Sequence, residues 1–171
     1  MRPVVAQAGF TVLPNYCFSD DPAMDAFLIP GGAGTRQEMY NRRLHQFVRA
    51  LPESTILAAL GTGPWVCAQM GLRDGLAATA RKEGDPQELG SRGMVPIDRL
   101  ASLAPRTVIS REQIVDQGRI VTAAGISPGM EVGSHLLERA GFDRDFTREV
   151  ARVMEYLDDY EVRRGHPGGA H

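Results

Sequence analysis

The chain has 171 residues, of which 43% are hydrophobic and 23% are charged. That is the composition of a globular protein, and the length suits one domain with its own core. The formal net charge is only −2. A strongly basic surface is therefore not expected, and we predict no nucleic-acid partner.

The two cysteines, Cys17 and Cys67, stand in unrelated contexts. They form neither a C-x-x-C pair nor a metal-ligand cluster, so we predict no metal, no cofactor and no disulfide framework. The N-terminal residues lack the apolar core of a signal peptide, and no apolar run is long enough to span a bilayer. These features favour a reducing cytoplasm and no membrane partner. We predict a single domain over residues 1–162 and a flexible Gly-rich tail over residues 163–171.

The first half of the chain alternates strand-like and helix-like segments. Residues 10–13 predict a short strand. The unbroken apolar run at 26–29, closed by Pro30-Gly31-Gly32, predicts a strand buried on both faces of a parallel sheet. Residues 36–51 predict one amphipathic helix with an apolar face. That face consists of Tyr40, Leu44, Phe47, Val48 and Leu51.

A strand, a tight turn and a helix follow. Residues 55–60 (TILAAL) predict a second buried strand, which runs directly into Gly61-Thr62-Gly63. Pro64 suits the first turn of a helix over 65–70, because the N–H that proline lacks has no partner there. Gly71 suits the left-handed end of that helix. This order of elements is typical of a nucleophile elbow.

The second half begins with a long surface loop, predicted at 82–96, and a helix at 97–103. Short strands are predicted at 107–109, 113–115 and 119–123, with a turn at Gln117-Gly118. Ser127 and Pro128 predict the start of a helix that runs to about residue 140. The last helix is predicted to be amphipathic, with a face made of Phe146, Val150, Val153, Met154 and Leu157.

Four stretches together resemble the ThiJ/PfpI (class I glutamine amidotransferase-like) superfamily. They are DAFLIPGGAGTR at 25–36, GTGPWVCAQMGLRDG at 61–75, IVDQGRIVTAAGISPGME at 114–131 and VARVMEY at 150–156. The subgroup most resembled contains the isonitrile hydratases and the sensor domains of AraC-type regulators. The resemblance implies an α/β flavodoxin-like fold, a three-layer αβα arrangement with a mostly parallel sheet. We expect the family's first strand and first helix to be missing.

The resemblance also locates the departures from the family's chemistry. Gly61 occupies the position of the catalytic cysteine, and Ala80 or Arg81 occupies that of the histidine. The family's oxyanion donors correspond to the backbone of Gly31 or Gly32 and to Thr62, and Gly63 belongs to the same pair of loops. A glycine has no side chain that can attack a substrate, so the resemblance implies an isonitrile hydratase-like lyase that is inactive.

Two other side chains are alternative nucleophiles. Cys67 lies about two turns into the elbow helix and is expected to be a buried core thiol. Thr62 has a hydroxyl at the elbow, but no histidine is placed by the sequence to activate it. Trp65 is expected to be a core residue rather than a platform for a ligand.

Three functions remain open on this basis. The chain is a member of the isonitrile hydratase-like group without cysteine chemistry, a small-molecule binding or sensor module, or an enzyme with a route that needs no cysteine, such as an aldehyde hydratase. The third is ranked last because no motif positions a general base. A homodimer is predicted, because homodimers are common in the family and unpaired strand edges invite pairing with another chain.

Overall fold

A computed structural model describes residues 2–6, 9–72, 74–84 and 94–156 of the chain. The chain divides into two compact units, Met1–Gly129 and Met130–His171. The prediction of a single domain over 1–162 stays a prediction, and the tail predicted at 163–171 lies outside the described residues. The strands are β1 (Val4–Val5), β2 (Thr11–Val12), β3 (Ala26–Ile29), β4 (Ile56–Leu60), β5 (Ala77–Ala78), β6 (Val108–Ile109), β7 (Ile114–Gln117) and β8 (Ile120–Ala123); the helices are α1 (Thr35–Glu38), α2 (Arg42–Ala50), α3 (Pro64–Gln69), α4 (Pro96–Leu103), α5 (Ile126–Arg139) and α6 (Arg144–Val153).

The first unit is built around a four-stranded sheet with the order β3-β4-β8-β7. β3, β4 and β8 run parallel, and β7 is antiparallel to β8. The tight turn between β7 and β8 contains Gly118, whose φ is +78°. β5 and β6 form a separate parallel pair, and β1 and β2 form an antiparallel hairpin. The mostly parallel α/β sheet expected from the sequence is confirmed.

The core lies on both faces of β4, the second strand of that sheet. Leu57, Ala58 and Ala59 are at most 1% exposed. One apolar cluster contains Leu57 and Ala59 of this strand together with fully buried side chains of three helices: Val48 of α2, Val66 of α3, and Ile97 and Leu100 of α4. The continuous apolar sequence of β4 is therefore explained by burial on both sides, as in other parallel strands.

β3 has the predicted bounds but not the predicted burial. It is the edge strand of the described sheet, and Leu28 is 47% exposed. The expectation of burial on both faces is therefore wrong for this strand. An apolar run alone cannot tell a central strand from an edge strand, because burial depends on the neighbouring element.

The single helix predicted over 36–51 is two helices. α1 ends at Glu38, and Asn41 begins α2 by accepting hydrogen bonds from the backbone N–H groups of Arg43 and Leu44. A side chain that bonds its own local backbone competes with helix continuation and favours a cap. Tyr40, predicted to be part of the apolar face, is instead 57% exposed.

Two details of the C-terminal helices also differ. α5 begins at Ile126, and the N–H of Gly129 donates to the carbonyl of Gly125, so Ser127 lies inside the first turn instead of capping it. In α6 the buried residues are Thr147 and Ala151. The face predicted from large apolar residues is wrong, since the exposed residues include Phe146, Val153 and Met154; Leu157 lies outside the described residues.

Candidate functional site

The parallel register brings two glycine-containing turns together at one edge of the sheet. Ile29, the last residue of β3, is opposite Ala59 of β4. The chain then continues from β3 into the loop at 30–34 and from β4 into the turn at 61–63. The turns are so close that a Cβ on Gly31 would lie 2.9 Å from both the carbonyl oxygen of Leu60 and the amide nitrogen of Thr62. The strand ends therefore position the predicted loop and elbow next to each other.

Gly61 adopts the backbone of a nucleophile elbow without its side chain. Its φ is +60°, in the left-handed region. Its N–H donates to the carbonyl of Ala123 at 2.9 Å, and its carbonyl accepts from the N–H of Arg81 at 3.0 Å. Apart from its two chain neighbours, the one described atom within 4 Å of a Cβ built on Gly61 would be the Cα of Gly31, at 3.7 Å. The left-handed turn is thus present, and the described residues leave space for a Cβ.

Gly63 is required by packing. A Cβ at this position would overlap the carbonyl oxygen of Ile29, and it would lie 2.9 Å from the carbonyl oxygen of Leu60. Both obstacles are backbone atoms of strands, which cannot move aside cheaply. This residue lets β3, β4 and α3 approach closely, and the binding role predicted for it stays a prediction.

The Thr62 side chain is buried in a polar network between the two turns. The residue is 2% exposed. Its Oγ1 accepts a hydrogen bond from the N–H of Gly32 at 3.0 Å and lies 2.9 Å from Oγ1 of Thr35. Thr35 also donates to the carbonyl of Gly32 at 2.7 Å. The hydroxyl that is an alternative nucleophile in the sequence is therefore engaged in holding the loop against the elbow.

This network decides which backbone donors are available to a ligand. The N–H of Gly32 is used by Thr62. Among the described residues, the N–H groups of Gly31 and Thr62 have no hydrogen-bond acceptor. The sequence offers Gly31 or Gly32 as the oxyanion donor of the loop, and of these two only Gly31 has an N–H without a described acceptor. The sequence does not predict that Thr35 belongs to this network, because a threonine that follows a Gly-rich loop indicates only the start of a helix.

The resemblance aligns Ala80 or Arg81 with a histidine, and neither residue has an imidazole. Ala80 is fully buried. Arg81 is half-buried and supports the elbow through its backbone N–H, as described above. The next residue, Lys82, donates from Nζ to the carbonyl of Glu112 at 3.0 Å. Burial and the charge of Arg111 lower the pKa of Lys82.

The elbow helix contains two further residues with a predicted role in the core. Cys67 is fully buried, which confirms the core interpretation. Trp65 is 4% exposed, and its indole Nε1 donates to the carbonyl of Pro96 at 2.9 Å. The guanidinium of Arg36 lies 5.7 Å from the centre of the indole ring. Trp65 is therefore a core residue with a satisfied polar atom, as predicted.

A mostly apolar cavity adjoins the Gly-rich loop. Its volume is about 220 Å³, and it is bounded by β3, the loop, α1, α2 and α3. Phe27, Leu28, Leu44 and Val66 form much of its apolar wall, and Gly31 belongs to its rim. Thr35 and Glu38 of α1 are the polar side chains in its lining.

Within the described ranges, no three His, Cys, Asp or Glu side chains are grouped closely enough to hold a metal ion. The predicted lack of a metal and of a cofactor stays a prediction. None of the described helices has the length and hydropathy that crossing a membrane would need.

Comparison with known proteins identifies the family. A model of the DJ-1/PfpI family matches residues 1–139. The chain belongs to the DJ-1/PfpI family. This confirms the ThiJ/PfpI resemblance and the flavodoxin-like α/β fold expected from it.

Individual relatives are similar at low identity. An isonitrile hydratase of Pseudomonas putida is 25% identical over 98% of this chain and 68% of its own length. The HTH-type transcriptional regulator GbdR of Pseudomonas aeruginosa is 23% identical over 94% of this chain but only 39% of its own length. A ThiJ/PfpI family protein from Pseudomonas syringae superposes with a TM-score of 0.74 at 19% identity, over 91% of this chain and 59% of that one.

Proposed function

We propose that this chain is a relative of the isonitrile hydratases that does not carry out thiol catalysis. The observation that carries the proposal is Gly61 at the elbow, with a φ of +60° and no side chain. Cysteine catalysis requires a thiolate at this turn, beside donors for the negative charge that develops. A glycine supplies no group that can attack a substrate.

Thr62 does not replace the missing thiol. A hydroxyl becomes a nucleophile when an adjacent base accepts its proton. The groups around Oγ1 of Thr62 are the N–H and the carbonyl of Gly32 and the hydroxyl of Thr35, and none of them is a base at neutral pH. Ala80 and Arg81 supply no imidazole. The buried network therefore favours a structural role for this hydroxyl.

The test is an assay for isonitrile hydration, in which water adds to R–N≡C and yields the N-formamide R–NH–CHO. We expect the wild-type chain and a Thr62→Val variant to form no more product than buffer, measured by NMR with a soluble alkyl isonitrile. Turnover by the wild-type chain would overturn the proposal. If Thr62→Val then abolished that turnover, the threonine would be the group responsible.

We propose as the second candidate that the chain is a small-molecule binding or sensor module. The N–H groups of Gly31 and Thr62 support it, because neither has an acceptor among the described residues. Thr62 is buried, and buried donors are nearly always paired with protein, water or ligand. The adjoining cavity offers space of about 220 Å³. One relative, GbdR, is a transcriptional regulator. The ligand would present a carbonyl or carboxylate oxygen to the donors and a small apolar group to the cavity.

This candidate is tested by calorimetric titration with short-chain carboxylates, amides and N-alkylformamides. Saturable binding to the wild-type chain is expected from at least one class. Gly31→Ala is the blocking variant, because its Cβ would crowd Leu60 and Thr62. Gly133→Ala is the control, because Gly133 does not line the cavity and its Cβ would have no neighbour within 4 Å. Binding that is equally strong in both variants would place the ligand elsewhere, and no binding at all would count against a sensor role.

We also propose that the chain acts as a homodimer in the cytoplasm.

The predicted lack of a nucleic-acid partner stays a prediction, because one relative is a regulator of transcription. An electrophoretic mobility shift with mixed-sequence duplex DNA tests it directly. Because the net charge is −2, we expect no shift even at low salt, where electrostatic binding to DNA is strongest.

A further inference from the structure

A second cavity lies between the loop at 17–21 and one face of α2. It is formed by residues 17–19 and 21 of the loop and by positions 43, 46, 47 and 50 of the helix, and we call it the loop–helix groove. Its volume is about 640 Å³, which lies within the range of small-molecule sites. It has no lining residue in common with the cavity beside the Gly-rich loop. The groove is therefore a separate space from the elbow site.

Two stacked phenylalanine rings form the apolar wall of the groove. The ring of Phe18 lies 4.9 Å from the ring of Phe47, measured between their centres. Phe47 in turn makes a T-shaped contact with Phe27 of β3 at 5.4 Å. These contacts fix the loop against α2 and the sheet. Phe18 is still 42% exposed, so part of its ring is available to an apolar group of a ligand.

Hydrogen bonds hold the loop wall in one shape. The N–H of Cys17 donates to Oδ2 of Asp20 at 2.7 Å, and the N–H of Asp20 donates to the carbonyl of Cys17 at 3.0 Å. The next residue, Asp21, has a φ of +42°, which few residues other than glycine adopt. Such backbone conformations are frequent at ligand sites. The loop therefore holds the backbone of Asp21 in place at the wall of the groove.

The groove has a carboxylate on one wall and a guanidinium on the other. Asp21 belongs to the loop wall, and Arg43 belongs to the helix wall. Among the described residues, neither side chain takes part in an ion pair or a hydrogen bond. α2 contains three arginines and no Asp or Glu, so the helix wall attracts an anionic group, whereas Asp21 attracts a cationic one. The two walls thus favour a ligand that has both charges.

We propose that the loop–helix groove binds a free α-amino acid with an apolar side chain. The carboxylate of the ligand accepts hydrogen bonds from the guanidinium of Arg43, whose planar fork suits this group. The ammonium of the ligand donates to the carboxylate of Asp21, and the apolar side chain packs against Phe18 and Phe47. A free α-amino acid has all three groups on one carbon atom. This binding does not depend on what the elbow binds.

The experiment is a calorimetric titration of the whole chain with L-phenylalanine. Two analogues each lack one charged group: 3-phenylpropionate has no ammonium, and phenethylamine has no carboxylate. We expect saturable binding of L-phenylalanine and binding of each analogue that is weaker by about tenfold, the factor that one lost charge-assisted hydrogen bond produces. Arg43→Gln should raise the dissociation constant of L-phenylalanine by about the same factor. Arg42→Gln is the matched control, because this neighbouring arginine is exposed and does not line the groove.

A measurement on the wild-type chain locates the ligand. Cys17 is exposed and lines the groove. L-phenylalanine at about ten times its dissociation constant should therefore slow the alkylation of Cys17 by iodoacetamide by about tenfold, because only the unliganded fraction reacts.

Four results would overturn the proposal. They are the absence of saturable binding, an analogue that binds as tightly as L-phenylalanine, equal dissociation constants for Arg42→Gln and Arg43→Gln, and saturable binding that leaves the alkylation rate of Cys17 unchanged. Circular dichroism checks that both variants are folded.

Discussion

Comparing Gly61→Ala with Gly34→Ala measures the free-energy cost of a non-glycine residue in the left-handed conformation of the elbow. Gly61 has a φ of +60°, whereas Gly34 has φ −59° and ψ −26°, which alanine adopts readily. Neither new Cβ would meet an obstacle: the nearest atom is 3.7 Å away at Gly61, and none lies within 4 Å at Gly34. The two substitutions therefore differ in backbone conformation and not in crowding.

The expected difference follows from this. Replacing glycine by alanine restricts the unfolded chain and stabilises the fold by about 0.4–1 kcal/mol where no strain arises. That contribution is common to both variants and cancels between them. What remains is the cost of the left-handed conformation for an L-residue, about 1–2 kcal/mol. Because a protein of this size loses about 2–4 °C of Tm per kcal/mol, Gly61→Ala should melt about 2–8 °C below Gly34→Ala.

The assay is thermal unfolding followed by circular dichroism, supported by urea unfolding at 25 °C. Equal stability of the two variants would refute the left-handed geometry of Gly61. A difference above about 4 kcal/mol would exceed the cost of a strained backbone. It would indicate a steric clash of the new Cβ, which the distance of 3.7 Å to the Cα of Gly31 does not predict.

The remaining predictions concern packing and thiol exposure. Gly63→Ala should destabilise the chain by about 3 kcal/mol relative to Gly34→Ala, because its Cβ would overlap the backbone of two strands, and an unchanged urea midpoint would contradict that geometry. Trp65→Phe should cost about 1–3 kcal/mol by urea unfolding, because it leaves a buried carbonyl without its donor; a phenylalanine variant as stable as wild type would mean that this bond contributes nothing. Iodoacetamide should modify Cys17 in the folded chain and reach Cys67 only in denaturant, as measured by mass spectrometry, and labelling of both in the native state would disprove the burial of the second thiol.

The elbow was predictable because its signals are local. β4 is a continuous apolar run, Gly61 and Gly63 interrupt it, and Pro64 fits only at the start of a helix. Each of these constraints acts within a few residues of the chain, so the sequence predicts the strand, the turn and the helix almost without error. Gly71, predicted to end α3 in the left-handed conformation, has a φ of +73°.

The errors arise where a distant or competing contact decides the outcome. The apolar period of 36–51 continues through the break at Asn41, and only the capping bonds of that side chain end one helix and begin the next. The exposure of Leu28 depends on which elements lie beside β3, and the sequence of β3 alone does not determine its neighbours. A periodic pattern thus predicts where an element is more reliably than what covers it.

The same reasoning explains why the polar network escaped prediction. Thr35 and Thr62 are far apart in the sequence, and neither one alone indicates a network. Their hydroxyls meet because β3 and β4 are parallel and in register, so the turns that follow the two strands lie side by side. The capture of the Gly32 donor by Thr62 is a consequence of that tertiary contact and changes which backbone groups remain for a ligand.

Three of the glycines of the site are favoured for different physical reasons, and the difference bears on function. Gly31 and Gly63 are required because backbone atoms occupy the space of a Cβ, whereas Gly61 has that space and is favoured only by its positive φ. Packing therefore does not demand the loss of a side chain at the elbow. The donors at Gly31 and Thr62 do not depend on a nucleophile, so the proposed binding of a ligand oxygen atom requires no side chain at Gly61. Ligand binding with no product formed would favour the binding module, and product formation would refute both proposals.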